Sequence, residues 1–474
     1  MKNLVLLVAF YASSAFAVDL INVPEKQTSA AIPLRAEPTL PGYSTPMASL
    51  SSAHTMSQTD FDHIEQRLNH AINANQTETI QNLLEAYRTF PQHDPTLVLF
   101  AQAKIARNQQ HYSQAIQLYQ RILAENPTLN PVRIELAITL FHDQQNQAAK
   151  AQFEQALLAP ELPPDIAQLL NMYLTAVAQR EKWQIAFGVN YTQDNNVNNV
   201  AKDRYIENTP LQKGESMLPQ KAHGIAYFFN IERDFNLAHH HYVHFENNLY
   251  GKYYWDNHDY DEITNRTYLG YANKSANQRW AILPFYEHQW YGNHRYKWAQ
   301  GIRGEYNRWF TPKWQFSTAL EYSKQRYHQY RYLNGHNKLI SATLLWRATP
   351  RSYFYGGIDF SQERTTLRHY DYNLTAIRLG WGQDWQYLGL SSRLNVRLAY
   401  RQYLDNLRLG EAVIFDRKRQ DHIYQINATL WKRDWHLWGI TPKLNFTWRK
   451  QNSNFDSLYS YSEKNIQLIF EKTF

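Results

Sequence analysis

The chain changes its hydrophobic rhythm near Arg180. Beyond that point apolar and polar residues alternate. Trp183, Ile185, Phe187, Val189 and Tyr191 interleave with Gln184, Ala186, Gly188, Asn190 and Thr192. Trp314, Phe316, Thr318, Leu320 and Tyr322 interleave with Gln315, Ser317, Ala319, Glu321 and Ser323, and the stretch from Ser392 to Arg401 repeats the pattern. A period of two marks a strand with two unlike faces. Each run spans about ten residues, enough for a tilted strand to cross a bilayer. About fourteen runs can be placed, near 183–192, 222–235, 241–254, 263–273, 279–291, 298–309, 314–326, 338–347, 352–363, 372–384, 391–402, 422–431, 438–449 and 464–474. An even number suits a single-chain bacterial barrel.

The connections orient that barrel. Those after even-numbered runs are short, around 237–240, 274–277, 310–313, 348–351, 386–389 and 432–437. Those after odd-numbered runs include long polar stretches at 193–221, 403–421 and 450–463. Short turns face the periplasm and long loops the outside, so whatever precedes the first strand is expected in the periplasm. Aromatics gather toward strand ends, among them Trp183, Tyr253, Tyr254, Trp255, Trp290, Tyr291, Trp309, Trp385, Trp431, Trp435 and Trp438, as two interfacial girdles would require. Phe474 stands at the end of the last run, in the place of the terminal aromatic that outer-membrane assembly machinery reads.

Upstream, residues 60–180 follow a helical period. The pattern predicts helices near 61–73, 78–90, 97–108, 112–125, 131–142, 146–158 and 165–180, with Pro91, Pro95, Pro127, Pro160, Pro163 and Pro164 between them. Ala103, Ala115 and Tyr119 are matched 34 residues later by Ala137, Ala149 and Phe153. That spacing, with small residues where helices must approach closely, resembles the tetratricopeptide repeat. Tyr112 and Pro127 fit the first unit. The second departs, with Asn146 at the place of Tyr112 and its closing proline early, at Pro160. A plain helical bundle is the alternative. In repeat geometry Leu97, Phe100, Lys104, Arg107, Ile134, Ile138 and Phe141 would line a concave client-binding groove; as inter-helix core they would not.

Composition narrows the class. Aromatics make up 15% of the 474 residues and cysteine is absent. The chain therefore takes no disulfide and cannot be acylated on cysteine. Lys2, the apolar stretch 4–12 and Ala15-Phe16-Ala17 predict a signal peptide over 1–17. Residues 18–59, rich in Pro, Ser, Thr and Ala, predict a flexible linker. The formal charge of +7 is too small to argue for a nucleic-acid partner. No stretch is long and apolar enough for a membrane-spanning helix, and the mean hydropathy is −0.62.

Catalytic motifs are missing: no G-x-S-x-G, P-loop or H-E-x-x-H. The expectation is no enzyme, no cofactor and no metal. His239, His240, His241 and His244 have metal-ligand character, but a polar periplasmic turn explains them. A calcium loop starting at Asp194 fails at Asn199 and Tyr205. Parity turns Arg393, Arg397, Arg401, Lys443 and Arg449 inward, with Arg303, Glu305, Glu321 and Asp359. Either this is an ordinary polar lumen or it contacts an unfolded chain in passage.

A signal peptide, tetratricopeptide-like helices and a barrel of about fourteen strands together resemble the surface lipoprotein assembly modifier (Slam) family. The run 187–199, F-G-V-N-Y-T-Q-D-N-N-V-N-N, looks like that family's barrel entry, with Asp194, Asn196, Val197 and Asn198 in its loop. The resemblance implies export of specific surface lipoproteins, or of related secreted haem- or iron-acquisition proteins, across the outer membrane. It implies as partners the client and, with it, a periplasmic chaperone or the assembly machinery. A porin or receptor, a polysaccharide export pore and a purely structural assembly factor remain alternatives.

Overall fold

A computed structural model describes residues 58–160, 162–207, 209–409 and 413–473. The expected signal peptide, most of the linker and Phe474 lie outside them. The described chain begins with α1 (Gln58–Asn73), α2 (Thr77–Arg88), α3 (Pro95–Asn108), α4 (Tyr112–Glu125), α5 (Asn130–His142), α6 (Asn146–Leu157) and α7 (Pro164–Arg180). Their starts and stops have local causes. Asp94 caps α3 by accepting from Thr96 N at 2.8 Å, and Pro95 takes the first turn, where its missing N–H costs nothing. The turns inside the two good repeats are built alike. Gln110 and Gln144, 34 residues apart, both adopt positive φ. Behind each, the next N–H reaches five residues back, His111 to Ala106 O and Gln145 to Leu140 O.

The repeat residues form the core. Ala103, Ala115, Ala137, Ala149, Tyr119 and Phe153 are fully buried. Phe100 meets Tyr119 edge-on, and Tyr173 of α7 stacks on Phe153 at 5.1 Å. Helix α7 thus closes the stack that the second repeat leaves open.

The barrel follows: β1 (Gln184–Asp194), β2 (Ala222–Ala238), β3 (His241–Tyr254), β4 (Glu262–Lys274), β5 (Gln278–Tyr291), β6 (His294–Thr311), β7 (Trp314–Tyr327), β8 (Gly335–Thr349), β9 (Ser352–Thr365), β10 (Tyr372–Asp384), β11 (Leu390–Leu409), β12 (Val413–Lys432), β13 (Ile440–Ser453) and β14 (Tyr461–Thr473). They close antiparallel in sequence order, β1 against both β2 and β14. Closure removes the exposed edges that lipid would not tolerate. The outer face carries exposed apolar residues such as Ile302, Leu320, Ile340, Ile358 and Leu398. Their neighbours Arg303, Glu321 and Asp359 are turned to the inner face and buried there.

Three expectations about the connections need correction. The predicted loop 403–421 is mostly strand, because β11 and β12 run on to Leu409 and from Val413, with register shifts between Gln402, Asn406 and Arg408. Polar residues there read as loop although they pair across a projecting hairpin. The third long loop shrinks to 454–460, which holds the short helix α8 (Asp456–Tyr459). His244 sits in β3, outside the turn, between Asp234 at 2.8 Å and Glu246 at 3.1 Å. The girdle reading also has exceptions. Tyr254 is fully buried and bonds inward to Asp194, and Tyr291 packs against Tyr260 and Tyr296. Outward aromatics do line the short-turn end, where Trp314, Trp346 and Phe354 stack in series.

Candidate functional site

Three places carry the polar chemistry: the helical core, the junction with the barrel, and the barrel's interior and loop end. In the helical core, Leu97, Phe100, Ile134, Ile138 and Phe141 are all buried. Phe100 meets Tyr119 of α4 and Phe141 meets Tyr173 of α7, so these side chains contribute to the inter-helix core. Lys104 is buried too. Its Nζ donates to Glu135 Oε1 at 3.1 Å, while Arg107, partly exposed, grips Oε2 of the same carboxylate. Burial, opposed by Glu135, holds the Lys104 ammonium below its ordinary range. Burial also pulls Arg107 down, but Glu135 and the surrounding tyrosines together carry it above its usual value. The sequence does not mark Glu135, because a lone acid on an apolar helix gives no motif.

The junction joins two turns. On the helical side is the α5–α6 turn, 143–145; on the barrel side, the β2–β3 turn at His239 and His240. His240 Nε2 lies 2.8 Å from Asp143 Oδ2, and His239 Nδ1 lies 3.1 Å from Gln145 Oε1. Tyr242 donates to Gln144 O. Gln147 donates from its backbone to Asn236 Oδ1 at 2.9 Å and from its side chain to Asn236 O at 2.6 Å. Arg180, at the exit of α7, donates to Phe141 O at 2.7 Å and covers the Phe141 ring at 3.6 Å. Thus two of the four histidines with metal-ligand character in the sequence, His239 and His240, serve as docking groups, while His241 and His244 bond within the barrel. Among the described residues no cluster suited to a metal ion occurs.

Inside the barrel the charges are paired. Arg266 reaches Glu287 at 2.5 Å and Glu321 at 3.4 Å; Arg303 bridges Glu305 at 2.8 Å and Glu321 at 3.1 Å. Further round the wall, on β9 to β11, Arg378 lies 2.9 Å and Arg397 3.7 Å from Asp359. Nearer the loop end Arg401 and Arg419 share Asp421 at 2.7 and 3.0 Å, and Arg401 also donates to Gln451 at 3.1 Å. Arg393 and Lys443 both lie over the Trp431 ring, Lys443 also bonding Glu471 at 2.8 Å, and Arg449 sits over Tyr461. The structure thus brings Arg397 and Arg401 into acid networks but does not gather the five inward cations at one point. Mixed, paired charge suits a wall that must stay wet inside and satisfied against lipid outside.

The loop end carries an ordered crossing between neighbouring loops. Asp194 holds Lys252 at 2.9 Å and Tyr254, fixing the end of β1. Asn196 turns the chain locally, donating to Val200 O at 2.9 Å. The Val197 N–H donates to Gln220 O at 2.9 Å. Asn198 donates to Leu218 O at 2.8 Å and accepts from Gln220 N at 3.0 Å, pinning both ends of the 195–221 loop together. Lys213 then ties this loop to α8, donating to Ala201 O at 2.6 Å and Ser457 O at 2.8 Å. Its burial holds the ammonium below the usual lysine range. Ile206, Leu407, Phe455 and Leu458 form a small apolar core beneath. The Asn-rich motif is a loop staple, built from bonds to main-chain groups.

Known proteins place this arrangement. The family profile described as "Surface lipoprotein assembly modifier" matches residues 183–474, and that of its N-terminal TPR repeats matches 49–153. The chain is 37% identical over 423 residues to the surface lipoprotein assembly modifier of Pasteurella multocida, covering 85% of this chain and 81% of the relative. It is 35% identical to surface lipoprotein assembly modifier 1 of Haemophilus influenzae, over 85% and 83% of the two chains. It is 26% identical to a hemophilin secretion modulator of Acinetobacter baumannii, over 82% of each. Among solved structures, a bacterial polysaccharide outer membrane secretin aligns with 62% of the chain and 98% of its own, at 12% identity and a TM-score of 0.34, a likeness too slight to bear on function. With both halves matched in order, the chain belongs to the surface lipoprotein assembly modifier family.

Proposed function

We propose that this protein exports specific client proteins, surface lipoproteins or related secreted haem-acquisition proteins, across the outer membrane. The observation that carries the reading is the coupling of a repeat domain to a fourteen-strand barrel through a built junction, in a chain whose relatives are named for lipoprotein assembly and hemophilin secretion. The helical domain docks at the short-turn end of the barrel, the end that faces the periplasm in bacterial outer-membrane barrels. On this reading it receives the client, alone or with its chaperone, on the repeats, whose stack is held by buried side chains such as Leu97, Phe100, Ile134, Ile138 and Phe141. The barrel then supplies the route, driven by the client's own folding outside, with no nucleotide.

The test is deletion of the gene followed by protease shaving of intact cells. The expected outcome is that one or a few surface proteins lose protease access while remaining in the cell, and regain it on complementation. Unchanged display of every surface protein would overturn the reading. A diffusion pore would instead give steady conductance in planar bilayers and no client-specific defect; the paired interior and the stapled loop end argue against an open channel.

A further inference from the structure

The fourteen seams of the barrel are unequal. Thirteen carry ladders of eleven to sixteen residue pairs. The seam between β1 and β14 carries five among the described residues, from Ala186 opposite Thr473 to Asn190 opposite Ile469. Both strands continue beyond it toward the loop end. β1 stays paired with β2 as far as Asp194, and β14 stays paired with β13 back to Tyr461. Extended backbone is present on both sides of the gap, but the two strands do not pair there. A side-chain bond from Gln467 Nε2 to Thr192 Oγ1, at 3.3 Å, spans the opening.

The edge of β14 from Tyr461 to Leu468 therefore has no ladder partner on its β1 side among the described residues. In an antiparallel strand alternate residues point their N–H and C=O toward each neighbour. Here one set points into the gap. Ile466 and Leu468, 70% and 48% exposed, face outward beside it, so the gap lies in the lipid-facing band. Lipid offers no hydrogen bonds, and unpaired strand edges recruit other strands. Only an extended polypeptide repeats donors and acceptors at this spacing. Its side chains would alternate, apolar beside Ile466 and Leu468, polar beside Asn465 and Gln467.

We propose that the β1–β14 seam is a lateral docking edge, where β14 takes an extended segment of the exported client as a transient added strand. The client's role rests on the export reading; the edge itself does not. The absence of native cysteine makes the seam testable. In the purified full-length protein, a benzophenone amino acid replaces Ile466 or, as control, the outward Ile340 on β8. The probe is a synthetic peptide copying Gln184–Asp194. The expected result is about tenfold more peptide adduct from position 466 than from 340. Oxidising a Thr192→Cys/Gln467→Cys pair should abolish the adduct, and reductant should restore it. Equal adducts at both positions, or undiminished capture with the seam oxidised, would overturn the proposal.

In cells, the same oxidised pair should block client display, while a Thr318→Cys/Ala342→Cys pair across the fully laddered β7–β8 seam should not. Normal display with the seam locked overturns the docking edge and leaves export standing. Peptide capture at the seam together with no client lost on gene deletion supports the edge and overturns export.

Discussion

Glu135 is the residue on which the helical domain's buried charge depends. It faces Lys104 and Arg107, and Lys104 has no exposed surface through which to recover hydration. Replacing Glu135 with Gln leaves two cations against one neutral amide. Breaking a buried pair in this way costs about 3–5 kcal/mol, and thermal denaturation of the full chain followed by helical circular dichroism should show it. The pH dependence has a definite sign. Lys104 titrates below its unfolded value, so between the two values the unfolded chain binds more protons and stability rises with pH. In Glu135→Gln the Lys104 value falls further, so the variant should regain helix stability on going from pH 7 to pH 9. A variant equally unstable at both would show that Lys104 is not the strained partner. Asn198 acts differently. Its Ala variant loses three bonds to main-chain groups, one of them long at 3.4 Å, the two short ones worth about 1 kcal/mol each. The expected outcome is faster proteolysis within 195–221 on intact cells, with the barrel's melting unchanged.

At the scale of elements, the junction is two turns held by hydrogen bonds. Asp143→Ala combined with Tyr242→Phe removes two of its bonds and leaves both domains' cores untouched. Spin labels at Leu158→Cys and Trp435→Cys, both well exposed, should then report a broader interdomain distance distribution than in the parent. An unchanged distribution would mean that the chain passage after Arg180 alone sets the geometry. These turns also show what the sequence made legible. Strand number and order were readable because two-faced walls impose a period of two on every crossing. The repeats were readable because Ala103, Ala137 and their partners recur at a fixed spacing. The junction was not, although Gln110 and Gln144 recur at that same spacing: a turn that docks elsewhere looks like any polar turn. Whether Leu97 or Ile134 serves core or groove is not legible, because core-facing and groove-facing positions on a repeat helix share one hydrophobic pattern. The β11–β12 hairpin resembles loop in the sequence because its residues there are as polar as loop residues.

For the whole molecule, the decisive geometry is which side of the membrane each end occupies. Helical domain and short turns share one end; the stapled 195–221 loop and α8 share the other. If the short-turn end is periplasmic, the helices receive cargo inside while the stapled loops and the incomplete part of the β1–β14 seam lie toward the exterior. If the barrel were inserted the other way, the repeat domain would hang outside the cell and could not meet a periplasmic client at all. Single cysteines separate the two cases, because the parent has no thiol of its own. Tyr205, 61% exposed in the long loop, and Leu158, 83% exposed at the end of α6, are suitable sites. On intact cells a membrane-impermeant maleimide should label Tyr205→Cys and spare Leu158→Cys. Permeabilising the outer membrane should make Leu158→Cys as reactive as Tyr205→Cys. The reverse pattern would remove the physical basis for client capture by the repeats. It would also place the unpaired edge of β14 on the side from which cargo departs, turning a docking edge for emerging chain into one that only periplasmic strands could reach.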